Sequence, residues 1–302
     1  MTTTPNTLAN VSNDLAALVA AASPGVVRVE ARRRLAASGI VWSADGLIVT
    51  AHHVLEQDDG VQVGLADGRS LTATLVGRDP TTDIALLRVP ATGLKALPWA
   101  DPDTARVGHL VLALGRPGPS VLATLGVVSA LGEGWRTPLG GSVDHLLQTD
   151  AAMYPGFSGG PLLDASGRVL GPNTTAILRG LSITIPAPTV RRVVETLLAH
   201  GRVRRGYLGV GAQTVRLPAA LESQLGQSIA LLLVSVEADS PAGQAGLVMG
   251  DTIVAFDGQP TRRLEDLLGQ LAGEHAGAAV AVRIIRGGVV QERTVTIGTR
   301  DE

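Results

Sequence analysis

A serine set among glycines, two adjacent histidines and an aspartate at the head of an apolar run are the side chains here best suited to covalent chemistry. Ser158 lies in Gly156-Phe157-Ser158-Gly159-Gly160-Pro161, the histidines in Thr50-Ala51-His52-His53-Val54, and Asp83 in Thr82-Asp83-Ile84-Ala85-Leu86-Leu87. A serine hydroxyl is a weak nucleophile at neutral pH until a base within hydrogen-bond reach takes its proton. That base needs an anion to fix its tautomer and stabilise its charged form. Glycines beside Ser158 let the backbone turn two N–H groups, those of Gly156 and Ser158, toward one point, where they can hold a developing oxyanion. Asp83 precedes the apolar run Ile84 to Leu87, so it sits at a strand edge, a suitable place for a buried orienting anion. No H-E-x-x-H run is present, and His109, His145, His200 and His275 lack metal-ligand spacing. No metal or other cofactor is expected.

The order His…Asp…Ser is that of chymotrypsin-like proteases, and differs from the orders of subtilisins and α/β-hydrolases. Asp79-Pro80-Thr81-Thr82-Asp83, Gln148-Thr149-Asp150-Ala151-Ala152 and Gly156 to Leu162 resemble the signatures of the HtrA (Deg) serine proteases. Arg205-Gly206-Tyr207-Leu208-Gly209-Val210 resembles the start of their PDZ domain. Ser240-Pro241-Ala242, Ala245-Gly246-Leu247, Gly250-Asp251-Thr252-Ile253 and Asp257-Gly258 continue that match. The resemblance implies a mainly β architecture: two barrels forming a chymotrypsin-like protease, with the catalytic residues in the cleft between them, then a small α+β PDZ domain. It implies an ATP-independent endopeptidase of protein quality control, acting on unfolded or misfolded chains and assembled as a homotrimer. It also selects His53, directly before the valine, over His52 as the base. In the PDZ part, Tyr207, Leu208, Gly209 and Val210 match the loop that receives a peptide C-terminal carboxylate. Leu264, Leu267, Leu268 and Leu271 lie at helical spacing, some for the core and one or two for a side-chain pocket.

The bulk numbers fit this reading. A chain of 302 residues suits two or three domains, and a net charge of −2 gives no footprint for nucleic acid. There is no cysteine, so thiol catalysis and disulfides are excluded. Mean hydropathy is +0.26, yet the apolar run Ile229 to Val236 is far below the roughly 20 residues of a membrane helix. Leu15 to Ala22 is apolar, but no positive charge precedes it, since the first basic residue is Arg28. No secretory leader is therefore read, and a cytoplasmic location is expected, or the cell envelope if a leader has been removed.

These side chains need a frame. A helix is expected from Ser12 or Asn13 to the stop at Ser23-Pro24-Gly25. Short β-branched runs follow: Gly25 to Val29, Ile40 to Trp42, Leu47 to Val49, Val61 to Leu65 and Ile84 to Val89. Turns at Ser43 to Gly46 and Ala66 to Gly68 join some of them. A second series runs through Leu110 to Leu114, Val121 to Val128, His145 to Gln148, Leu162-Leu163, Val169-Leu170 and Leu181 to Ile185. Helical spacing marks Pro188 to His200, ended by Gly201, and further helical segments are expected at Pro241 to Gly246 and Leu264 to Leu271. The domain expectation is thus an N-terminal helical segment over 1–23, a protease over 24–200, a charged linker lacking core residues over 201–205, and a PDZ domain over 206–300.

Two departures from the HtrA pattern bear on function. Phe157 stands where the family has asparagine; it biases the nucleophile loop, lines the cleft, or packs in a local apolar patch. Between Val29 and Ile40 the chain has only a short loop with Arg32-Arg33-Arg34, either a docking patch or a solvated turn. Met153 and Tyr154 before the nucleophile, with Ile177 and Leu178 on the segment resembling the family's specificity loop, are expected to line the specificity pocket. None is acidic, so small or medium aliphatic side chains are expected before the cleaved bond. A second reading, motivated by Phe157, is a nearly silent protease acting as a peptide-binding scaffold through its PDZ domain.

Overall fold

The computed structural model describes residues 7–32, 35–101, 104–178, 181–203, 206–271 and 277–299. Arg33, Arg34 and His275 lie outside them. The chain divides into two compact units: residues 1–135 with 142–203, and residues 204–302 with 136–141.

The first unit opens with helix α1 (Thr7–Ala22), which begins earlier than the sequence suggested. Its apolar spacing already starts at Leu8 and Val11, and it stops at a 3-10 turn over Ser23–Gly25 as expected. Seven strands follow: β1 (Val26–Glu30), β2 (Ala37–Val41), β3 (Leu47–Ala51), β4 (Gln62–Gly64), β5 (Ser70–Thr72), β6 (Thr74–Asp79) and β7 (Ile84–Arg88). They pair antiparallel in the order β5-β4-β1-β2-β3-β7-β6. Strands β5 and β6 were not foreseen. β5 exposes its polar residues and β6 alternates weakly, so neither shows a strong period-two pattern.

The later part of the chain up to residue 203 contains β8 (Leu110–Gly115), β9 (Leu122–Gly132), the short strands β10 (Trp135–Arg136) and β11 (Ser142–Val143), β12 (Leu146–Thr149), β13 (Pro161–Asp164), β14 (Val169–Thr174) and β15 (Ile183–Thr184). Six of these close into a barrel, β12-β15-β14-β13-β8-β9. Helix α2 (Ala187–His200) lays Val190, Val193, Val194 and Leu197 onto Leu47 and Val49 of β3 and Ile84 and Leu86 of β7. Each such burial contributes about 1.5–3 kcal/mol. The other face of β7, Ala85 and Leu87, enters the core of the seven-stranded sheet. Burial on both faces explains why this strand reads as an unbroken apolar run. The helix ends at Gly201 (φ 72°), whose N–H returns to the Leu197 carbonyl at 2.8 Å. Val203 then packs against the same cluster, so the connector is not free of core contacts as expected.

In the second unit β16 (Gly206–Tyr207) pairs with the final strand, β23 (Gly298–Thr299). Between them lie β17 (Val210–Arg216), α3 (Ala219–Leu225), β18 (Ile229–Val236), α4 (Pro241–Gln244), β19 (Thr252–Phe256), β20 (Gln259–Pro260), α5 (Leu264–Leu271), β21 (Ala279–Arg286) and β22 (Val289–Thr296). The sheet order β17-β18-β19-β21-β22 leaves β17 as an edge strand. Buried Leu208, Leu231, Ile253, Phe256, Leu267 and Val282 belong to its core. A buried ion pair braces it: Arg286 Nε and a terminal nitrogen each lie 2.7 Å from one oxygen of Asp251.

Candidate active site

Strand register brings His53 to Asp83. The last residue of β3, Ala51, pairs with the first of β7, Ile84, so the residues just beyond them meet. The His52 N–H accordingly donates to the Asp83 carbonyl at 3.0 Å. One residue on, in the 3-10 turn His52–Val54, the His53 N–H donates to Asp83 Oδ1 at 2.8 Å. The His53 Nδ1 lies 2.8 Å from Oδ2. An ionised carboxylate only accepts, so Nδ1 carries a proton, and in the neutral ring the lone pair is on Nε2. The Asp83 side chain is 3% exposed and His53 26%, so the anion is sheltered and the ring reaches the surface.

Asp83 adopts φ 59°, unusual for a residue with a Cβ. The preceding turn supports it: buried Asp79 accepts from the Thr81 N–H and hydroxyl and from the Thr82 hydroxyl. A third donor to Asp83 was not foreseen from sequence. The buried Thr174 hydroxyl reaches Oδ2 at 2.5 Å from strand β14. The carboxylate is thus held by two donors of His53 and one of Thr174.

His52 lies close by in a different state. Burial first, then the positive charge of Arg78, hold its imidazole below its usual range, and its Nδ1 has no hydrogen-bond partner. The carboxylate of Asp83 is paired with the ring of His53.

Ser158 is placed by the backbone around it. Tyr154 to Phe157 form a turn closed by the Phe157 N–H to the Tyr154 carbonyl at 3.0 Å, with Pro155 second and Gly156 third. Gly156 has φ 92°, as the third position of a type II turn requires, and a Cβ there would lie 2.5 Å from Pro117. Beyond the serine, the Gly159 N–H donates to the Asn173 carbonyl and the Asn173 N–H to the Gly160 carbonyl. A Cβ on Gly159 would stand 2.2 Å from the Ser38 carbonyl oxygen and 2.9 Å from the Ala51 nitrogen. The Ser158 loop therefore packs against the end of β3, one residue before His52, and against the strand whose Thr174 holds Asp83.

Phe157 points inward. It is fully buried with Ala113, Val128, Leu147 and Leu162 of the barrel core and meets Tyr154 edge-on, ring centroids 5.8 Å apart. Of its three sequence readings, packing describes what is seen; the ring does not line the cleft. Met153 packs partly on this core, Tyr154 is 58% exposed, Ile177 leans on the cluster under α2, and Leu178 is half-buried. No shared cluster gathers these four. Of the arginine triplet, Arg32 lies within the described residues, and its Nε reaches the Val54 carbonyl at 3.3 Å.

In the second unit Leu208 is buried, while Gly209 (φ 77°) turns its carbonyl to the Glu237 N–H at 3.0 Å. The Tyr207 hydroxyl meets the Glu237 carboxylate, and Val210 pairs with Val236. Among the described residues, the N–H groups of Leu208 and Gly209 make no backbone hydrogen bond. On α5, Leu267 and Leu271 are core, Leu268 is half-buried and Leu264 is exposed.

Comparison with known proteins agrees with these observations. A trypsin-like peptidase domain matches residues 37–171 and a PDZ domain residues 206–297. The chain is 35% identical over 276 residues to a probable periplasmic serine endoprotease DegP-like of Chlamydia trachomatis, covering 89% of this chain and 55% of that protein. A protein of the same description from Pseudomonas putida is 39% identical over 267 residues, covering 86% and 55%. The chain thus spans about half the length of these curated relatives. Among solved structures, the HtrA-type protease AlgW with a decapeptide superposes with a TM-score of 0.75 at 30% identity, over 95% of this chain and 99% of that one. The serine endoprotease from Yersinia pestis gives 0.74 at 32%, over 96% and 98%. The periplasmic descriptions overturn the cytoplasmic expectation and point to the cell envelope. An absent leader motif is a weak guide to compartment, because leaders are removed. No helix among the described residues is long and apolar enough to cross a membrane. With a trypsin-like barrel domain, a PDZ domain, and solved relatives matched along nearly their whole length, the chain belongs to the HtrA (DegP) family of serine endoproteases.

Proposed function

We propose that the first unit is a serine endopeptidase in which Ser158 is the nucleophile, His53 the general base and Asp83 the orienting anion. The observation that carries this is the double contact of Asp83 with His53, one oxygen on the backbone N–H and one on Nδ1, both at 2.8 Å. Ser158 Oγ attacks the scissile carbonyl as its proton passes to His53 Nε2. The N–H groups of Gly156 and Ser158 take the oxyanion, and the imidazolium gives its proton to the leaving amine. Water, deprotonated by the same imidazole, then cleaves the acyl-enzyme and frees Ser158. The inward seat of Phe157 removes the motive for reading the protease as a silent scaffold.

The second unit captures peptide C-termini, the carboxylate at the N–H groups of Leu208 and Gly209, the peptide extending edge strand β17, and Leu264 or Leu268 beside its last side chain. Unpaired N–H groups next to a free sheet edge support this. Substrates are unfolded or misfolded chains with small or medium aliphatic residues before the cleaved bond, in line with the absence of carboxylates at Met153, Tyr154, Ile177 and Leu178. A homotrimer is the proposed assembly. Its support is the family resemblance together with the apolar residues Leu8 and Val11, which α1 leaves exposed.

Casein cleavage tests the reading. Ser158→Ala abolishes it without unfolding, His53→Ala nearly does, and His52→Ala costs far less. Equal losses at the two histidines in folded variants refute the assignment, as does labelling by a serine-directed phosphonate anywhere but Ser158.

A further inference from the structure

Ser38 has no part in the scheme above, yet among the described residues no other side chain is bonded so closely to the Ser158 loop. It is fully buried on β2, and its backbone N–H donates to the Ser158 carbonyl at 3.0 Å. Its hydroxyl donates to the Gly156 carbonyl at 2.6 Å and accepts the Arg116 N–H at 2.7 Å. Its own carbonyl accepts the Thr50 hydroxyl at 2.7 Å. One residue therefore grips the carbonyls of both residues whose N–H groups are assigned to the oxyanion.

The direction of the hydroxyl is set. The Arg116 N–H fills one lone pair, which leaves the Ser38 proton for Gly156. Arg116 is itself anchored by hydrogen bonds. Its buried guanidinium donates to the carbonyls of Val26, Pro119 and Ser23 and to the Ser23 hydroxyl, all within 2.9 Å. Among the described residues no carboxylate pairs with it, so main-chain and hydroxyl oxygens alone hold it in place.

We propose that Ser38 is a positioning residue for the oxyanion hole: by fixing the Gly156 and Ser158 carbonyls it sets the spacing between the two N–H groups that receive the developing charge. This rests on the serine-protease reading above. The peptide carrying the Ser158 N–H lies between two peptide planes that Ser38 holds, and the peptide carrying the Gly156 N–H adjoins one of them. Removing the hydroxyl leaves the backbone bond to Ser158 intact and frees the Gly156 carbonyl, together with the Arg116 N–H that the hydroxyl accepts. Nucleophile, base and Asp83 stay in place while one donor drifts. Removing a donor outright costs about 10²–10³ in rate, so a displaced one costs about 10–100-fold.

The test compares Ser38→Ala and Ser38→Cys with the parent in the full chain, after circular dichroism and thermal melting establish folding. Expected for Ser38→Ala is a kcat lower by about 10–100-fold with KM within about twofold. A peptide aldehyde whose adduct places an oxyanion in the hole weakens by the same factor as kcat/KM, while binding of the corresponding carboxylate product is unchanged. Ser38→Cys, with a weaker donor, falls between. A folded Ser38→Ala with kcat unchanged overturns the proposal, as does a loss confined to KM, or aldehyde affinity that does not follow kcat/KM. If neither variant folds, Ser38 is a purely structural residue and the proposal fails. Failure of the underlying reading looks different: the parent itself leaves aldehyde and phosphonate unbound, or cleavage survives Ser158→Ala.

Discussion

Replacing Asp83 with asparagine keeps the size of the side chain and changes what its two ends can do. The structure asks both oxygens to accept: Oδ1 from the His53 N–H, Oδ2 from His53 Nδ1 and the Thr174 hydroxyl. Asparagine has one oxygen. If that oxygen stays on the His53 N–H, the amide NH2 faces Nδ1 and the Thr174 oxygen, so those contacts persist with donors and acceptors exchanged, while the Thr174 proton gives up its carboxylate acceptor. The imidazole must then carry its proton on Nε2, where it cannot take one from Ser158. In the opposite orientation the working tautomer is kept, but the NH2 faces a backbone N–H and a buried hydrogen bond becomes a donor–donor contact. That difference is about 2–4 kcal/mol in favour of the inactive tautomer, a factor of roughly 10²–10³. Losing the anion that stabilises the imidazolium adds about another tenfold, giving a fall in kcat of about 10³–10⁴ at neutral pH. The assay is steady-state cleavage of a reporter peptide, beside circular dichroism and binding of a non-reactive product peptide. Both controls match the parent, because the side chain keeps its volume and still reaches His53 and Thr174. A folded variant within tenfold of the parent refutes the argument about orientation.

Thr174→Val keeps the shape of its strand but removes a charge-assisted hydrogen bond to a buried carboxylate. Thermal or urea unfolding of the first unit shows a loss of about 1.5–3 kcal/mol, and kcat falls about tenfold with KM little changed. His52 is held below its usual range by burial and by Arg78, so as pH drops below about 6.5 the unfolded chain takes up its proton before the folded one does. Stability is therefore full above about pH 6.5 and falls as pH drops through the folded value; in His52→Asn, pH-dependent melting shows a shallower decline. Asp251→Asn in the second unit leaves an amide facing the Arg286 guanidinium in a buried site and lowers that unit's melting midpoint by roughly 10 °C. Burial by itself raises the Asp251 carboxyl, but Arg286 and the Val248 N–H outweigh it and hold the group below its usual range. The parent's advantage is thus present above the ordinary carboxylate range and lost as pH falls through the folded value, so parent and variant melts converge in acid.

What could be read in the sequence was what is local along the chain. The nucleophile turn, the two histidines and Asp83 each announce themselves within about six residues. Helix α2 with Gly201 behind it, and α5 over Leu264–Leu271, follow from spacing alone. Thr174 and Ser38 could not be found that way. Their partners lie 91 and 118 positions away, and nothing near either residue marks it as more than a strand threonine or serine. Phe157 looked anomalous because side-chain direction in a turn is set by tertiary packing, here by a barrel core that comes close enough for a Cβ on Gly115 to stand 2.7 Å from its ring. Val203 was passed over among charged neighbours for the same reason. Strands β5 and β6 were missed because one-sided polar edges carry little of the period that marks a strand.

The distances of those two partners also say where the site gets its alignment. Ser38 reaches from the seven-stranded sheet to Gly156 and Ser158 beside the barrel, and Thr174 reaches from the barrel to Asp83 on the sheet. Gly159 lies against Ser38 and Ala51 with no room for a Cβ. On the proposed assignment, orientation of the base and placement of the oxyanion donors therefore depend on one junction between the halves of the first unit. Neither half holds a competent arrangement alone, since the sheet carries His53 and Asp83 without a nucleophile and the barrel carries Ser158 without a base. Both halves are buried against α2 or α1 at their backs, through Val190 and Leu197 on one side and Leu15, Leu18 and Ala22 on the other. Packing far from the chemistry fixes the two bodies, and a few buried hydroxyls at the junction convert that docking into the sub-ångström register that the proposed proton transfer from Ser158 to His53 requires.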